Sequence, residues 1–554
     1  MDIRREGNVP EKGIWCISFL LYKIWVLKMD EDKKENKTLE KRYIVSAGEM
    51  KGYDRNTIQH FGVSSLVLME RAALAVAEEI GGRFAPGKRV LIVAGCGNNG
   101  GDGIAVGRIL RERGYEVDFC MIGEREKCSK ETEIQCNIIE KYGCPLQDKI
   151  GNKEYDIMVD ALFGIGLSRN PEGRFEEAVK TINESQAFVC SVDIPSGIHT
   201  DSGEIMGVAI KADLTVTFAF KKLGHVRYPG CGYCGEVVCR DIGITQESFL
   251  GKTPEFYTFC GLPLEGMPAR DGGGNKGTFG KVLVIAGSVN MSGACELCAR
   301  SVYRMGAGMV KIVTPEENRI IVQTNLPEAL LSTYRTQGAG REELLGKLHQ
   351  RLEKDMEWAD CIVIGPGLGK NGEAYALLKQ VLDEGKKPLV IDADGLNLLA
   401  ENEDLQQLLK ECAKTHREIV LTPHLAEFAR LFGGTLEDIK RNLLHKPKEM
   451  AEIYGCTIVC KDARTVVATP SGREIYLNTS GNDGMATAGM GDVLTGIIGG
   501  LIAQGMDAGK AACHGVYIHG KAGDMAAVEE SRYGLMAGDV VNCLTKVLQK
   551  GAQQ

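Results

Sequence analysis

The sequence predicts two α/β domains, each built on a parallel sheet covered by helices on both faces. Three observations predict this. Short apolar runs alternate with amphipathic stretches along most of the chain, the pattern of strands buried on both sides. The rhythm breaks between 254 and 274, at Pro254, Pro263, Pro268 and Gly272-Gly273-Gly274. Each half carries a glycine-rich loop that closes on Gly-Asp: Gly95-Cys96-Gly97-Asn98-Asn99-Gly100-Gly101-Asp102-Gly103 and Gly489-Met490-Gly491-Asp492. Such loops bare backbone N–H groups at a helix N-terminus, where phosphate binds.

The elements follow in order. Residues 14–27 are apolar but broken by Lys23, and shorter than the ~20 residues a membrane span needs. No small-residue cleavage site follows. A polar run begins at Asp30, and Met29 makes a sensible start, so residues 1–28 are expected to be absent from the working protein and 1–42 to be a disordered or non-native extension. Leu66, Met69, Ala73, Val76 and Ile80 recur near helical spacing and predict a helix over 64–81. The apolar run 89–94 is a buried strand that delivers the first glycine loop, and 103–113 is the helix after it. Runs 117–122, 156–162, 188–193 and 214–219 repeat the strand pattern. The boundary falls near 252, giving domains over 43–250 and 262–554 with a linker at 251–261. Strands resume at 282–286, 309–313, 361–365, 389–392, 419–422 and 457–460, and 491–504 is a glycine-tolerant helix.

The totals exclude several classes. The 554 residues carry 66 basic and 74 acidic side chains, a net charge of −8, with no long Lys/Arg block. Nucleic acid is therefore not an expected partner, nor is a membrane. The 19 cysteines are odd in number and scattered through apolar segments, which points to buried thiols in a reducing compartment. The pairs Cys231/Cys234 and Cys295/Cys298 lack zinc-ribbon spacing, and the second falls in a helical pattern. Core or loop packing is the expected role.

Gly95-x-Gly97-x-x-Gly100 formally matches the dinucleotide fingerprint, with Asp118 near the expected acidic position. Asp102 stands where a pyrophosphate would lie and would repel it; a simple turn capped by Asp is a further reading. Asp160 and Asp193 end two strands, and Ser196 follows the second. At the carboxyl edge of a parallel sheet, Asn99, Asp160 and Ser196 could converge as hard oxygen ligands, although a strand-end Asp is most often a loop acceptor. In the second half, Gly489, Met490 and Gly491 amides form a candidate anion hole. Asp492 beside them can take a proton from a hydroxyl that attacks phosphate. Gly365-Pro366-Gly367-Leu368-Gly369, Asp392-Ala393-Asp394-Gly395, Thr422-Pro423-His424 and Lys461-Asp462-Ala463-Arg464-Thr465 follow other strands.

The runs GCGNNGGDGIAVGRIL, VDALFGIGLSR and VDIPSGIHTDSG closely resemble the NAD(P)H-hydrate epimerase domain over roughly 43–245. The resemblance implies a Rossmann-like parallel sheet sandwich. It implies that Asn98, Asn99, Gly100, Gly101 and Asp102, then Gly164, Ile165, Gly166, Leu167, Ser168, Arg169 and Asn170, and Asp193, contact the hydrated dinucleotide. It implies a potassium ion held by Asn99, Asp160 and Ser196, and Asp193 as the acid/base. Lys222 is a weaker candidate for that role, a solvated lysine being expected.

NKGTFGKVLVIAGS, GPGLG, DADGLNLL, LTPH and GMATAGMGDVLTG resemble the ADP/ATP-dependent NAD(P)H-hydrate dehydratase, a ribokinase-like α/β domain, over roughly 262–550. By that resemblance Ala294, Gly369, His424 and Asp492 contact the hydrated nicotinamide nucleotide. Lys461, Asp462, Ala463, Arg464, Thr465 and Gly491 contact the adenine nucleotide, with Mg2+ and ADP or ATP as partners in the reaction. Asn275, Asp462, Asp483 and Met490 depart from the family's usual histidine, glycine, proline and serine. The expected protein is a fused cytoplasmic homo-oligomer. It would epimerise R- and S-NADHX and NADPHX and dehydrate the S-epimer with Asp492 as catalytic base. A ribokinase-like small-molecule kinase with a nucleotide-sensing N-terminal domain is the alternative.

Overall fold

The computed structural model describes residues 39–335 and 341–549. The expectations for residues 1–38 lie outside the described residues. The chain divides into two compact units, Arg42–Tyr257 and a second that begins at Thr258 and also takes in residues 39–41. A strand, Glu40–Val45, already begins inside the stretch read as extension, and the stretch read as linker holds the strand Phe256–Cys260.

In the first unit a seven-stranded, wholly parallel sheet runs Leu146–Gln147, Glu116–Met121, Arg89–Ala94, Ile157–Ala161, Phe188–Val192, Leu214–Phe218, Glu236–Arg240. Alternate residues of Arg89–Ala94 enter different cores. Val90, Ile92 and Ala94 pack with Ile104 and Phe119 on one face, Leu91 and Val93 with Ile122 and Tyr155 on the other. Both faces are thus covered, which is why this strand reads as one unbroken apolar run. Arg89–Ala94 has its sequence successors on opposite sides, Glu116–Met121 on one and Ile157–Ala161 on the other. That switch in direction opens a crevice at the carboxyl ends, and the first glycine loop fills it.

The helix after that strand is Asn98–Glu112, capped by Gly97. The expected start at 103 is corrected: the asparagines and glycines form the first turn, and Asp102 lies in the second turn and does not cap. The glycines let this helix press on the sheet. A Cβ on Gly103 would lie 2.3 Å from Ala161 Cβ, and one on Gly107 would lie 2.4 Å from Phe119 Cε1 and 2.6 Å from Ile92 Cγ1. Gly107→Ala is expected to destabilise the unit by about 1–3 kcal/mol through overpacking, less about 1 kcal/mol of better helix propensity. Urea unfolding reads this; an unchanged midpoint would refute the packing argument.

In the second unit the sheet runs Leu330–Tyr334, Met309–Pro315, Lys281–Ile285, Cys361–Ile364, Leu389–Ile391, Ile419–Leu421, Thr457–Cys460, Val466–Ala468, Ile475–Leu477. The pairings are parallel as far as Thr457–Cys460 and antiparallel beyond it. The antiparallel strands and Leu330–Tyr334 have no counterpart in the sequence reading. Lys281–Ile285 is flanked by Met309–Pro315 and Cys361–Ile364, so a second switch point lies at its carboxyl end. The helix Met490–Ala503 lies over this sheet: a Cβ on Gly499 would come 2.5 Å from Val363 Cγ2.

Candidate active sites

In the first unit the loops after Arg89–Ala94, Ile157–Ala161, Phe188–Val192 and Leu214–Phe218 share one sheet edge. Asp160 is fully buried. Its Oδ2 accepts from Ser191 Oγ at 2.8 Å and Ser196 N at 2.9 Å, and its Oδ1 from Ser196 Oγ at 2.6 Å. Burial raises the Asp160 carboxyl, with the Ser196 and Ser191 hydrogen bonds opposing. Phe163 N donates to Ser196 Oγ at 2.9 Å, and Asn99 Nδ2 to Phe163 O at 3.0 Å. Asn99, Asp160 and Ser196 therefore meet around the Phe163 backbone, where the Asp160 carboxylate, the Ser196 hydroxyl and the Phe163 carbonyl are hard oxygens of the kind an alkali cation takes, and Asn99 turns its Nδ2 to that carbonyl. Gly164 leans on Asn99: a Cβ there would lie 3.2 Å from Asn99 Cβ. Gly166, Ser168, Arg169 and Asn170 are exposed, with Ile165 and Leu167 half-buried, so 164–170 forms a rim above the cleft.

Asp193 follows Phe188–Val192 with φ 67° and is 9% exposed. Its Oδ1 accepts from Lys222 Nζ at 2.5 Å and Thr217 Oγ1 at 2.9 Å. Burial would raise this carboxyl, but Lys222 outweighs it and holds Asp193 below the usual carboxylate range. The expectation of a solvated Lys222 is corrected, since the residue is buried and ion-paired. Asp102 is the opposite case. Burial, then Asp193 and Asp54, push its carboxyl well above the usual range. Two carboxyl groups driven apart in this way suit the paired roles of acid and base. Asp118 cannot play the acid of a dinucleotide fingerprint. It is the third residue of Glu116–Met121, about 10 Å short of the carboxyl edge, and its Oδ2 is held by Tyr155 at 2.9 Å and Lys153 at 2.5 Å.

In the second unit five adjacent strands deliver their carboxyl ends to one edge. Ala294, in the helix Ser292–Arg304, abuts the turn after Cys361–Ile364, where a Cβ on Gly367 would lie 2.8 Å from Ala294 Cβ. Gly369 N donates to Asp394 Oδ2 at 2.8 Å. Asp392 is 1% exposed and accepts from Lys461 Nζ at 2.6 Å and Thr495 Oγ1 at 2.7 Å. Gly489, with φ 89°, caps Met490–Ala503, and Asp492 is in its first turn. A Cβ on Gly491 would lie 3.3 Å from Lys461 Nζ, so the bare glycine lets the lysine reach the anion loop. Met490 is 6% exposed; its side chain turns into the core and leaves the loop amides untouched. Burial, then Asp392 and Asp394, raise Asp492 to about 7, with Lys461 opposing. A base of that pKa suits neutral chemistry. Dehydration is expected to rise with pH through about 7 as Asp492 loses its proton; a flat kcat across that range would count against it.

His424 caps the helix Leu425–Phe432: its Nδ1 accepts from Ala426 N at 3.1 Å and Glu427 N at 3.4 Å. The ordinary satisfied-histidine reading thus holds for Nδ1, and half of the side chain remains exposed. Lys461 sits beside it, with Lys461 N donating to Pro423 O at 2.8 Å. Asp462 and Ala463 are exposed at the surface, Arg464 and Thr465 half-buried. Asp483 is exposed and pairs with Arg532 at 3.1 Å, and Asn275 makes a loop turn through Gly277 N at 2.8 Å. Residues that sequence reasoning missed are Thr217 and His225 in the first unit, Thr495 and Asp524 in the second. Asp524 Oδ2 accepts from Gly481 N at 3.0 Å and fixes the segment leading to the anion loop.

Comparison with known proteins bears on both units. A curated relative in Moorella thermoacetica, a bifunctional NAD(P)H-hydrate repair enzyme, is 37% identical over 92% of this chain and 97% of its own. The chain belongs to the bifunctional NAD(P)H-hydrate repair enzyme family. A relative of the same description in Escherichia coli is 31% identical over 94% of this chain and 96% of its own. The family model described as YjeF-related protein N-terminus matches 65–224, and the one described as NAD(P)H-hydrate dehydratase matches 282–546. A solved Bacillus subtilis ADP/ATP-dependent NAD(P)H-hydrate dehydratase, co-crystallised with ATP and Mg2+, is 28% identical over 51% of this chain and 94% of that one, with a TM-score of 0.42. The match to the repair-enzyme family covers both halves, which disfavours a small-molecule kinase fused to a nucleotide-sensing N-terminal domain. Among the described residues no helix is long and apolar enough to cross a membrane.

Proposed function

We propose that this chain repairs hydrated NADH and NADPH with two separate active sites. The N-terminal unit interconverts the R- and S-epimers, and the C-terminal unit dehydrates the S-epimer at the expense of ADP or ATP. The observation that carries this reading is the pairing of Asp492, raised to about 7, with the Gly489–Gly491 turn and the half-buried Lys461.

In the C-terminal unit Asp492 takes the proton of the substrate's ring hydroxyl as its oxygen attacks the terminal phosphate. The turn amides and Lys461 stabilise charge on the transferring group. Loss of inorganic phosphate and a ring proton then restores the dihydronicotinamide. Ala294, Gly369 and His424 would frame the nicotinamide nucleotide, and Lys461 to Thr465 with Gly491 the adenine nucleotide. Mg2+ would arrive with the nucleotide phosphates; Asp392 is no ready-made ligand for it, its oxygens being taken by Lys461 and Thr495.

In the N-terminal unit epimerisation breaks and remakes the carbon–oxygen bond at the hydrated ring carbon. Asp102, whose carboxyl burial pushes up, gives its proton to the leaving hydroxyl, and water adds from the other face with its proton passing to Asp193. The two roles exchange in the reverse direction. Asn98 to Asp102 and 164–170 would hold the dinucleotide. Asn99, Asp160 and Ser196 would hold K+, whose charge would offset that of the buried Asp160. A homo-oligomer in the cytoplasm is the setting we propose.

Mixed NADHX epimers are offered with ADP or ATP while reduced-nicotinamide absorbance and inorganic phosphate are followed. Equal recovery of both is expected; a stable phosphorylated product without recovered absorbance would favour a kinase. Replacing K+ by Na+ is expected to slow R-epimer repair more than S-epimer repair, and an equal effect on both would remove K+ from the epimerase.

A further inference from the structure

Lys222 occupies a place where a lysine is costly. Its side chain is 1% exposed, and Nζ lies 2.5 Å from Asp193 Oδ1, 2.8 Å from Thr217 Oγ1 and 3.1 Å from Phe218 O. All three ammonium donors are thereby used. The backbone is held as firmly. Lys222 pairs in parallel with Val45, and its N–H donates to His225 Nδ1 at 3.0 Å. An accepting Nδ1 places the imidazole proton on Nε2, which donates to the carbonyl of Asp193 at 2.8 Å. Burial, with Lys222 adding to it, pushes His225 down to about 3, so the ring stays neutral and keeps that tautomer.

His225 therefore ties the main chain of Lys222 to the main chain of Asp193. Asp193 needs such a tie: φ 67° is left-handed backbone that a non-glycine residue adopts at a cost. Its two carboxylate oxygens are unequal. Oδ1 receives both Lys222 and Thr217, whereas Oδ2 receives no hydrogen bond among the described residues. A buried ion pair returns little net stability and could be replaced by apolar packing. Its presence at the sheet edge that binds ligands calls for a chemical reason.

We propose that Lys222, locked by His225, is the positioning residue of the epimerase unit: it clamps Asp193 through Oδ1 and presents Oδ2 to the hydrated ring carbon. This rests on the epimerase reading above. The clamp also sets charge. With Lys222 in place Asp193 is an ionised base before substrate arrives. The other titratable groups facing this cluster are Asp102, whose carboxyl the Asp193 charge helps to push up, and Lys221 and Cys239, which face His225 and Lys222.

The test uses the full chain without nucleotide, so that epimers interconvert but are not consumed, and follows R-to-S conversion of NADHX by chromatography. Lys222→Met is expected to slow conversion at neutral pH by about 100-fold or more, chiefly in kcat. It should move the acid limb of the pH profile upward by about one pH unit or more, because Asp193 without the ammonium holds its proton to higher pH. Lys222→Arg should keep the wild-type acid limb. Thr217→Val, of equal shape, should move the limb in the same direction by less, and it carries the test if Lys222→Met fails to fold. Unmoved acid limbs in both variants, or a Lys222→Met enzyme as fast as wild type, would overturn the proposal. Two further readings separate the two ideas: no conversion by the unsubstituted chain above the uncatalysed rate sinks the epimerase assignment itself, and undiminished conversion in Asp193→Asn sinks the base role of Asp193 and the proposal with it. Loss of conversion in that variant together with unmoved limbs elsewhere sinks only the positioning role.

Discussion

Asp492→Asn is expected to abolish repair of both epimers, lowering kcat of dehydration by about 10²–10⁴-fold with little change in KM. The R-epimer is lost as well because it can leave only through the S-epimer. The same substitution should stabilise the C-terminal unit at neutral and higher pH. Asp492 is raised in the folded chain, first by burial and then by Asp392, from an ordinary 3.8 to about 7. The folded state therefore binds more protons than the unfolded state between those values. Stability falls as pH climbs through that window, and above it the folded state has lost up to about 4 kcal/mol. Asparagine does not titrate and escapes the loss. Thermal unfolding of wild type and variant across pH measures this: the gap should open as pH rises towards 7 and close towards the ordinary carboxylate range. An active Asp492→Asn enzyme would end the base assignment, and an inactive one with no pH-dependent gain would show that burial does not tune the residue.

Asp193→Ala should divide the two activities. The S-epimer is still repaired at the wild-type rate, and repair of a mixed preparation stops when the S fraction is exhausted, apart from slow uncatalysed epimerisation. Time courses of absorbance on mixed epimers read this as a fast phase followed by a plateau. Truncation also leaves Lys222 buried without its carboxylate, at a cost of roughly 3–5 kcal/mol, so the N-terminal unit should unfold earlier in urea. A single-phase course that runs to completion would mean that Asp193 is not needed for epimerisation. Equal loss for both epimers would mean that the sites are not independent.

Much of the fold was legible because buried parallel strands are written as apolar runs. Arg89–Ala94 and Thr457–Cys460 appear with the predicted bounds, and most others within a residue or two. Val466–Ala468 and Ile475–Leu477 escaped notice because they pair antiparallel, one after the other with no helix between, and so fall outside the alternation of strand and helix on which the reading relied. The glycine loop at 95–103 was misjudged in register: its glycines already serve close packing within the helix, Gly100 against the Gly95 backbone, Gly101 against Met69 and Thr132 and Gly103 against Ala161, so the helix begins before the pattern of apolar residues does. In the candidate sites, motif residues at strand ends fell together at the sheet edges as a parallel topology demands. Lys222 was misread because a lysine in sequence carries no sign of its burial. What buries it is the turn that returns His225 to Asp193, a contact between positions 32 apart that periodicity does not encode. Thr495 was missed for a similar reason, since its partner Asp392 is 103 positions away.

Lys461 is paired with Asp392 before any phosphate arrives. Its charge is matched by Asp392, so the pair presents little net field to its surroundings. Were Lys461 unmatched, it would drag the neighbouring Asp492 towards ordinary acidity and leave a carboxylate too weak to take a hydroxyl proton. Asp392 thus works as a ballast. By cancelling the lysine and repelling the second carboxylate it leaves Asp492 poised near neutrality, while Lys461, across the bare Gly491, can still swing part of its attraction to an incoming phosphate. Burial supplies the largest share of that basicity, and Asp392 adds to it without needing to touch the substrate.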